Sequence, residues 1–183
     1  MIFFYYTIII MNRIENIIRS KISKEDKLAK ILKHIFVNVC HIEQTKYFIL
    51  GSYAIRKHRK INDLDINLDS KEFLKLEKAV INGYGKIEFY NNQIRWVYDI
   101  TKLYNHLTKS KEKDFSIEAF QKDKKIGYPT RTFSLYNLKK SQGLSKDKFG
   151  HQFFSVKTLL KWKKKMNREK DKKDIELIKK ILK

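Results

Sequence analysis

Two aspartates interrupt an apolar stretch in the first half of the chain, in "DLDINL" at residues 63–68. Aliphatic side chains alternate there with Asp63, Asp65 and Asn67, which is the period-two pattern of a β-strand with one buried face. Both carboxylates therefore project from the same face, roughly 7 Å apart along the strand. Because two carboxylates this close repel each other and lose solvation, this pattern indicates a site for positive charge, and a divalent cation suits it.

A Gly-Ser pair lies shortly upstream of these aspartates, at the end of another apolar run. The residues "KYFIL" at 46–50 predict a strand, and Gly51 and Ser52 follow it directly. Glycine lets the backbone turn sharply and approach a ligand closely. Ser52 opens the segment "SYAIRKH", where a hydroxyl and a backbone N–H at a helix start suit a phosphate, although a serine there also simply caps a helix. A phosphate cradle beside a carboxylate pair is the equipment of metal-dependent phosphoryl or nucleotidyl transfer.

The remaining sequence alternates helical and strand patterns, which predicts an α+β fold with a mixed sheet flanked by helices. Helical periodicity covers residues 12–40, with the capping signal "SKED" at 23–26, and Ser70 begins a helix over 70–82. Further strands are predicted at 85–90 and 94–100 as a hairpin, at 115–120 and at 150–156, and two helices at 157–183. We expect a strand and helical extension over 1–45 and one domain over 46–183 that ends in basic helices.

The N-terminal segment "MIFFYYTIIIM" is the most apolar part of the chain. Its β-branched and aromatic content predicts an added strand. A translation start at Met11 and a weak membrane anchor are the alternatives. About eleven apolar residues fall short of the roughly 20 that a spanning helix needs, so we expect no stable membrane span.

The charge balance favours polyanionic partners. The chain has 41 Lys+Arg against 20 Asp+Glu, a net charge of +21, which suits RNA, DNA, nucleotides or an anionic membrane surface. Its richness in Lys, Ile and Asn also fits the coding bias of an A+T-rich genome. Cys40 is the single cysteine, which excludes a disulfide framework and a cysteine-based zinc site and fits the cytoplasm or another reducing intracellular compartment. The sequence carries no signal for the oligomeric state.

The stretch "ILGSYAIRKHRKINDLDINL" resembles the core of the nucleotidyltransferase (DNA polymerase β-like) superfamily. In that family, Gly-Ser ends one strand and Asp-x-Asp follows in the next. Asn62 departs from the Ser or Thr that often precedes the first aspartate. The segment "FFSVKTLLKWKKKMNREKDKKDIELI" is similar to the end of small antibiotic-type and AbiE-type nucleotidyltransferases, so the combined resemblance covers residues 46–178.

This resemblance implies a metal-dependent enzyme that moves an NMP from an NTP, most simply ATP, to an acceptor hydroxyl, with pyrophosphate as the leaving group. It implies two Mg²⁺ ions, or Mn²⁺, on the aspartate pair and on a third carboxylate from a later strand. Asp99 is the best match for that third carboxylate, and Glu88 is the runner-up. The implied site residues are Asp63, Asp65 and Asp99 for catalysis and metal binding, and Gly51, Ser52, Arg56 and Lys161 for the nucleotide.

The acceptor is open at this point, and the net charge favours RNA or another polyanion over a small molecule or a protein hydroxyl. Two other functions compete with an active transferase. A non-catalytic descendant of the same fold would act as an RNA-binding or regulatory module and would need neither Mg²⁺ nor a third carboxylate. A basic membrane-surface protein would use the apolar N-terminal segment.

Overall fold

The computed structural model describes residues 2–81, 85–90, 93–121, 138, 140 and 142–183. Within these residues the strands are β1 (Tyr47–Ile49), β2 (Asp63–Leu68), β3 (Lys86–Tyr90), β4 (Gln93–Asp99), β5 (Ser116–Gln121), β6 (Leu144–Lys146) and β7 (Gln152–Phe154). The helices there are α1 (Ile2–Arg19), α2 (Lys24–Lys33), α3 (Ser70–Ile81), α4 (Thr101–Thr108), α5 (Val156–Met166) and α6 (Lys172–Ile181). A π-helical turn (His34–Val39) continues α2, and two 3₁₀ turns cover Gly51–Ile55 and Glu169–Asp171.

The seven strands of the described residues form one mixed sheet in the order β3-β4-β5-β2-β1-β7-β6, which places β2 at its centre. β2 pairs antiparallel with β1 and parallel with β5. β4 is antiparallel to both β5 and β3, and β7 is parallel to β1. The predicted α+β class with a mixed sheet flanked by helices is therefore confirmed, as are the strands predicted between residues 46 and 156 and the two C-terminal helices.

The two faces of the sheet pack differently. One face meets α1 to α4, and its core includes Leu64 and Ile66 of β2 together with Ile14, Leu28 and Phe73 of the helices. At the β1–β7 end, the opposite face is covered by α5 and α6 through a smaller core that contains Phe48, Phe154, Leu159, Trp162 and Ile178. The alternation in β2 therefore directs Asp63 and Asp65 away from the main core, to the face that also carries the C-terminal helices.

The N-terminal segment is the clearest correction to the predicted elements. Residues 2–10 belong to α1 and not to an added strand. Ile10, Ile14 and Ile18 repeat every four residues and are at most 6% exposed, so packing of this helical stripe overrides the strand propensity of the segment. The helices of the predicted 1–45 extension thus contribute to the same core as the sheet.

Two further elements, α4 and β6, were not predicted. Tyr104 is the one fully buried residue of α4, so a short apolar stripe gave little periodic signal. Strand β6 has three residues, none of them buried, and it forms through its pairing with β7. No helix among the described residues has the length and apolar character needed to cross a bilayer.

Candidate functional site

The Gly-Ser turn lies directly against the aspartate pair. Leu50 donates its backbone N–H to the carbonyl oxygen of Asp65 at 2.7 Å, because β1 and β2 are paired. Gly51 then turns with φ +63°, and a side chain built there would place its Cβ 3.5 Å from Asp65 Oδ2. The turn therefore needs glycine for its backbone conformation, and it brings the Gly51 backbone next to the Asp65 carboxylate.

A third carboxylate stands beside Asp65, on β5. The parallel pairing of β2 with β5 sets Asp63 opposite Ser116 and Asp65 opposite Glu118. Paired residues project from the same face, so Glu118 is a cross-strand neighbour of the aspartates. Arg95 Nη1 donates to Glu118 Oε2 at 2.6 Å and fixes its orientation. Glu118 was not among the predicted site residues, although its strand was predicted.

Asp99 does not lie next to Asp65, and this expectation is corrected. Its strand β4 is separated from β2 by β5, a displacement of roughly 10 Å. Asp99 shares the face of Glu118, but it is exposed and pairs with Ser116. Its carboxylate accepts hydrogen bonds from Thr101, at 2.9 Å from N and 2.6 Å from Oγ1, and so caps α4.

Glu88, the alternative third carboxylate, is still farther from the aspartate pair. It lies on the edge strand β3, beyond β4. Its carboxylate accepts from Arg95 Nη2 at 2.8 Å and forms an ion pair with Lys86. Those two hydrogen bonds hold the pKa of Glu88 below its usual range. Glu88 therefore supports Arg95, which in turn holds Glu118.

Asp63 and Asp65 lack a cation at ion-pair distance among the described residues, unlike Glu118, which pairs with Arg95. Desolvation raises the pKa of Asp65 to about 7, and the nearby charges of Asp63 and Glu118 add to the effect. Burial also raises the pKa of Asp63 and of Glu118. Lys170 and Arg168 lie close enough to lower the pKa of Asp65, but not enough to cancel the increase. A bound cation would supply the missing positive charge.

Ser52 is held by the C-terminal helix. Its hydroxyl donates to Asp174 Oδ2 at 3.2 Å and accepts from Arg59 Nη1 at 2.9 Å. Arg59 also forms an ion pair with Asp174, and Lys163 Nζ reaches the same carboxylate at 2.8 Å. Lys163 and Asp174 are each 4% exposed, so their ion pair is buried, whereas Arg59 lies at the solvent side of the network. The network attaches α5 and α6 to the Gly-Ser turn.

A second aspartate of the same segment is completely paired. Asp171 is 1% exposed, and it accepts from Lys163 Nζ at 2.7 Å and from Arg168 Nε at 2.6 Å. Burial alone would raise its pKa, but hydrogen bonds from Arg168 and Lys163 hold the pKa of Asp171 below its usual range. These acidic and basic side chains therefore stabilise the segment that resembles the end of small nucleotidyltransferases.

The network around Ser52 was missed as a set of functional residues, although the sequence carries a signal for it. Asp171 and Asp174 stand at i, i+3 with Ile178 at i+7, so the two acids occupy the apolar stripe of their helix. Lys163 follows Leu159 by four residues on the buried stripe of α5. A charge on an apolar stripe indicates a buried partner, because an isolated buried charge is costly.

The other two predicted nucleotide contacts lie elsewhere. The Arg56 guanidinium stacks on the rings of Tyr53 and Phe153, at 4.2 Å and 4.7 Å from their centroids, and lines a different cavity. Lys161 is exposed on α5, whereas Lys163 is the lysine of that helix that turns inward. Of the predicted phosphate-binding residues, the structure thus brings Gly51 and Ser52 to the aspartate pair.

The side chains of the site suit a hard divalent cation in chemical type. Asp63 and Asp65 offer carboxylate oxygens, which Mg²⁺ and Mn²⁺ prefer, and the raised pKa of Asp65 marks a place where positive charge is favourable. Within the described part of the chain, no group of three His, Cys, Asp or Glu side chains is arranged closely enough to hold a metal. The aspartate pair therefore fits a cation, and Glu118 would join it by loosening its bond to Arg95.

Comparisons of the chain with protein-family models, with curated proteins and with solved structures find no match. What the site can do must therefore be judged from its own contacts and charges. Those are an open glycine turn, three neighbouring carboxylates and a set of arginine and lysine side chains on the adjoining C-terminal segment.

Proposed function

We propose that this chain is a metal-dependent nucleotidyltransferase that moves an NMP from an NTP, with ATP favoured, to an acceptor hydroxyl. The observation that carries the proposal is the contact between the Gly51 turn and Asp65: a Cβ built at Gly51 would lie 3.5 Å from Asp65 Oδ2. It joins a backbone turn open to phosphate with a carboxylate whose pKa is raised to about 7. Nucleotidyl transfer needs both features at one place.

Asp63 and Asp65 are the residues that would hold Mg²⁺ or Mn²⁺, and the sequence resemblance implies two such ions. Bound metal supplies neutralisation of the triphosphate and of the charge that develops during in-line displacement. Glu118 takes the place that we first expected for Asp99, because it is the cross-strand neighbour of Asp65. Its pKa is raised by burial, so a Glu118 carboxylate oxygen is suited to accept the proton of the acceptor hydroxyl.

The basic residues around the carboxylates are suited to the triphosphate. Arg168 and Lys170 act electrostatically on Asp65, and Arg59 acts on Asp63. Arg59 is 46% exposed, so its guanidinium has room to turn from Asp174 to a phosphate oxygen. We propose that Arg59, Arg168 and Lys170 bind the phosphates together with Ser52, in place of the predicted Arg56 and Lys161.

RNA is the acceptor that the charge distribution favours. The net charge of +21 attracts polyanions, and the outer sides of α5 and α6 add exposed lysines beside the site. Those exposed lysines are Lys157, Lys161, Lys164, Lys165, Lys172, Lys173, Lys179 and Lys180. A chain with this surface is a poor electrostatic partner for a cationic small molecule.

The test is label transfer from each α-labelled NTP to total RNA in the presence of Mg²⁺. We expect transfer by the wild-type chain and its loss, by roughly 10²-fold or more, in Asp65→Asn and Glu118→Gln. Asp99→Asn is the matched control on the same sheet face, and it should retain activity because Asp99 caps α4. Activity that depends on Asp99 but not on Glu118 would contradict the assignment, and transfer with none of the four NTPs would contradict the function.

A non-catalytic RNA-binding or regulatory module is the second candidate. One observation favours it: in the described residues the carboxylates are not arranged as a complete three-ligand metal group. This function predicts RNA binding that is equal with and without Mg²⁺, and unchanged by Asp63→Asn with Asp65→Asn. The melting temperature would then show no metal-dependent increase with any NTP.

A further inference from the structure

A cavity of about 480 Å³ lies on the other side of the turn that follows Ser52. The start of α2, the turn at Arg56 and Lys57, and the β6–β7 hairpin form its walls. Each lining residue in the described part of the chain is polar or charged, and neither Asp63 nor Asp65 contributes to the cavity. The cavity is therefore separate from the carboxylate site, and it suits a charged ligand and not an apolar one.

Two of the three acids in the lining are already satisfied by the protein. Asp147 Oδ2 accepts from the Tyr53 hydroxyl at 2.6 Å, and its Oδ1 accepts from the backbone N–H groups of Phe149 and His151. Asp26 Oδ2 accepts from Lys148 Nζ at 2.6 Å. The charge of Asp26 is balanced by Lys148, whereas Asp147 keeps its negative charge but has both oxygens engaged by internal donors.

The basic residues of the lining are less occupied. Lys57 and Lys146 are both exposed, and within the described part of the chain neither side chain forms a hydrogen bond or an ion pair. Arg56 donates one N–H to the carbonyl oxygen of Tyr53 at 3.0 Å, which leaves its other donors available. Outside the Asp26–Lys148 ion pair, the described lining has three basic residues, Arg56, Lys57 and Lys146, against the acids Glu25 and Asp147, and the oxygens of Asp147 are already engaged. The cavity therefore has an excess of positive donors and selects an anion.

The lining favours a phosphate over a whole nucleotide. A nucleobase binds by stacking on an aromatic face, and the described residues of the lining include no aromatic side chain. The rings of Tyr53 and Phe153 behind it are covered by the Arg56 guanidinium. Lysine and arginine donors without a stacking surface match the phosphodiester of a nucleic-acid backbone.

We infer that this cavity binds a backbone phosphate of the acceptor RNA, at a distance from the reacting end. The inference rests on the proposed function for the identity of the acceptor. Its structural basis is the turn shared by the two sites: Arg56 and Lys57 line the cavity, and Arg59 hydrogen-bonds Ser52 beside the carboxylates. A strand that follows this turn contacts both sites and is thereby held with its terminal hydroxyl toward Asp65.

The experiment measures binding of a fluorescent single-stranded RNA by anisotropy over a range of salt concentrations, without NTP or Mg²⁺. Lys57→Gln with Lys146→Gln should reduce the log–log salt slope by about 1.4, which corresponds to two phosphate contacts on a single strand. Lys71→Gln with Lys102→Gln is the matched control, because both lysines are exposed on helices and neither lines the cavity. The control pair should leave the slope within about 0.3 of wild type.

The outcomes separate this inference from the proposed function. Equal slopes for the cavity pair and the control pair would overturn the inference, even where label transfer succeeds. A rise in melting temperature with inorganic phosphate or ATP that vanishes in the cavity pair, with no change in RNA binding, would also overturn it in favour of a small-anion site. A cavity-dependent RNA slope in a chain without label transfer would support an RNA-phosphate site and contradict the transferase alone.

Discussion

Two clusters of acidic side chains lie next to the Gly-Ser turn, and the pKa values of their aspartates shift in opposite directions. Asp65 lies beside Asp63 and Glu118, and its pKa is raised to about 7. Asp171 lies between Lys163 and Arg168, and its pKa is lowered although it is 1% exposed. Fixed cations within hydrogen-bond distance make the second cluster a structural connection. In the first cluster Arg95 pairs with Glu118, but within the described residues Asp63 and Asp65 have no cation at ion-pair distance, so we expect this pair to gain stability from a bound cation.

The largest effect is expected from breaking the paired cluster. Asp171→Asn leaves Lys163 and Arg168 buried or half-buried without their carboxylate, so we expect a loss of roughly 3–5 kcal/mol in the free energy of unfolding. Chemical denaturation at neutral pH measures it. Glu169 forms an exposed ion pair with Lys172, three residues later in the chain. Glu169→Gln should therefore change the free energy of unfolding by less than about 1 kcal/mol. Similar losses in both variants would show that the buried pairing is not what stabilises this segment.

Asp65→Asn should increase the free energy of unfolding, whereas Asp171→Asn should decrease it. Because the folded-state pKa of Asp65 is raised from 3.8 to about 7, the folded protein binds this proton more tightly than the unfolded chain does. Stability therefore falls as the pH rises from about 4 to about 7, and Asn removes this loss. We expect the variant to gain roughly 2–4 kcal/mol at pH 8 and almost nothing at pH 4.

The measurement is the free energy of unfolding of both chains at several pH values between 4 and 8. Asn67→Asp supplies the converse variant, since it adds a third aspartate on the same face of β2. That change should lower stability at pH 8 more than at pH 4. A pH-independent difference between Asp65→Asn and wild type would mean that Asp65 has an ordinary pKa in the folded protein.

Binding of a divalent cation should offset the repulsion between the Asp63 and Asp65 carboxylates and so stabilise the folded chain. Mg²⁺ with ATP at a hundred times its dissociation constant would stabilise the folded chain by about 2.7 kcal/mol, and it should raise the melting temperature. Asp63→Asn with Asp65→Asn should remove the metal-dependent part. Because Mg²⁺ competes with a proton for Asp65, its affinity should increase as the pH rises through about 7. Metal binding by the double variant would place the cation elsewhere.

The smallest effect is expected at Asp99. Asp99→Ala removes the acceptor for Thr101 N and Oγ1, which costs about 1 kcal/mol of stability, as other helix caps do. Label transfer per folded molecule should remain within about twofold of wild type, because Asp99 lies two strands from Asp65. A large loss of label transfer without a loss of stability would contradict this prediction and indicate that Asp99 is a catalytic carboxylate.

The local parts of the candidate site were predictable from the sequence. The alternation in β2 and the Gly-Ser pair after β1 are patterns within a few residues, and both elements form at 63–68 and 47–49 as expected. The choice between Asp99 and Glu118 was not predictable from such patterns. Both acids lie on predicted strands, and only the pairing of β5 with β2 decides which of them meets Asp65.

The sequence by itself therefore determined the strand that carries Asp63 and Asp65, the turn at Gly51 and the α+β class, since these follow from local periodicity and backbone freedom. Tertiary structure decided the helical state of residues 2–10, where burial of Ile10 and Ile14 outweighs strand propensity. It also decided the neighbours of each carboxylate. Strand order, and the docking of α5 and α6 on the sheet, arise from contacts between residues far apart in the chain, and short-range patterns do not encode them.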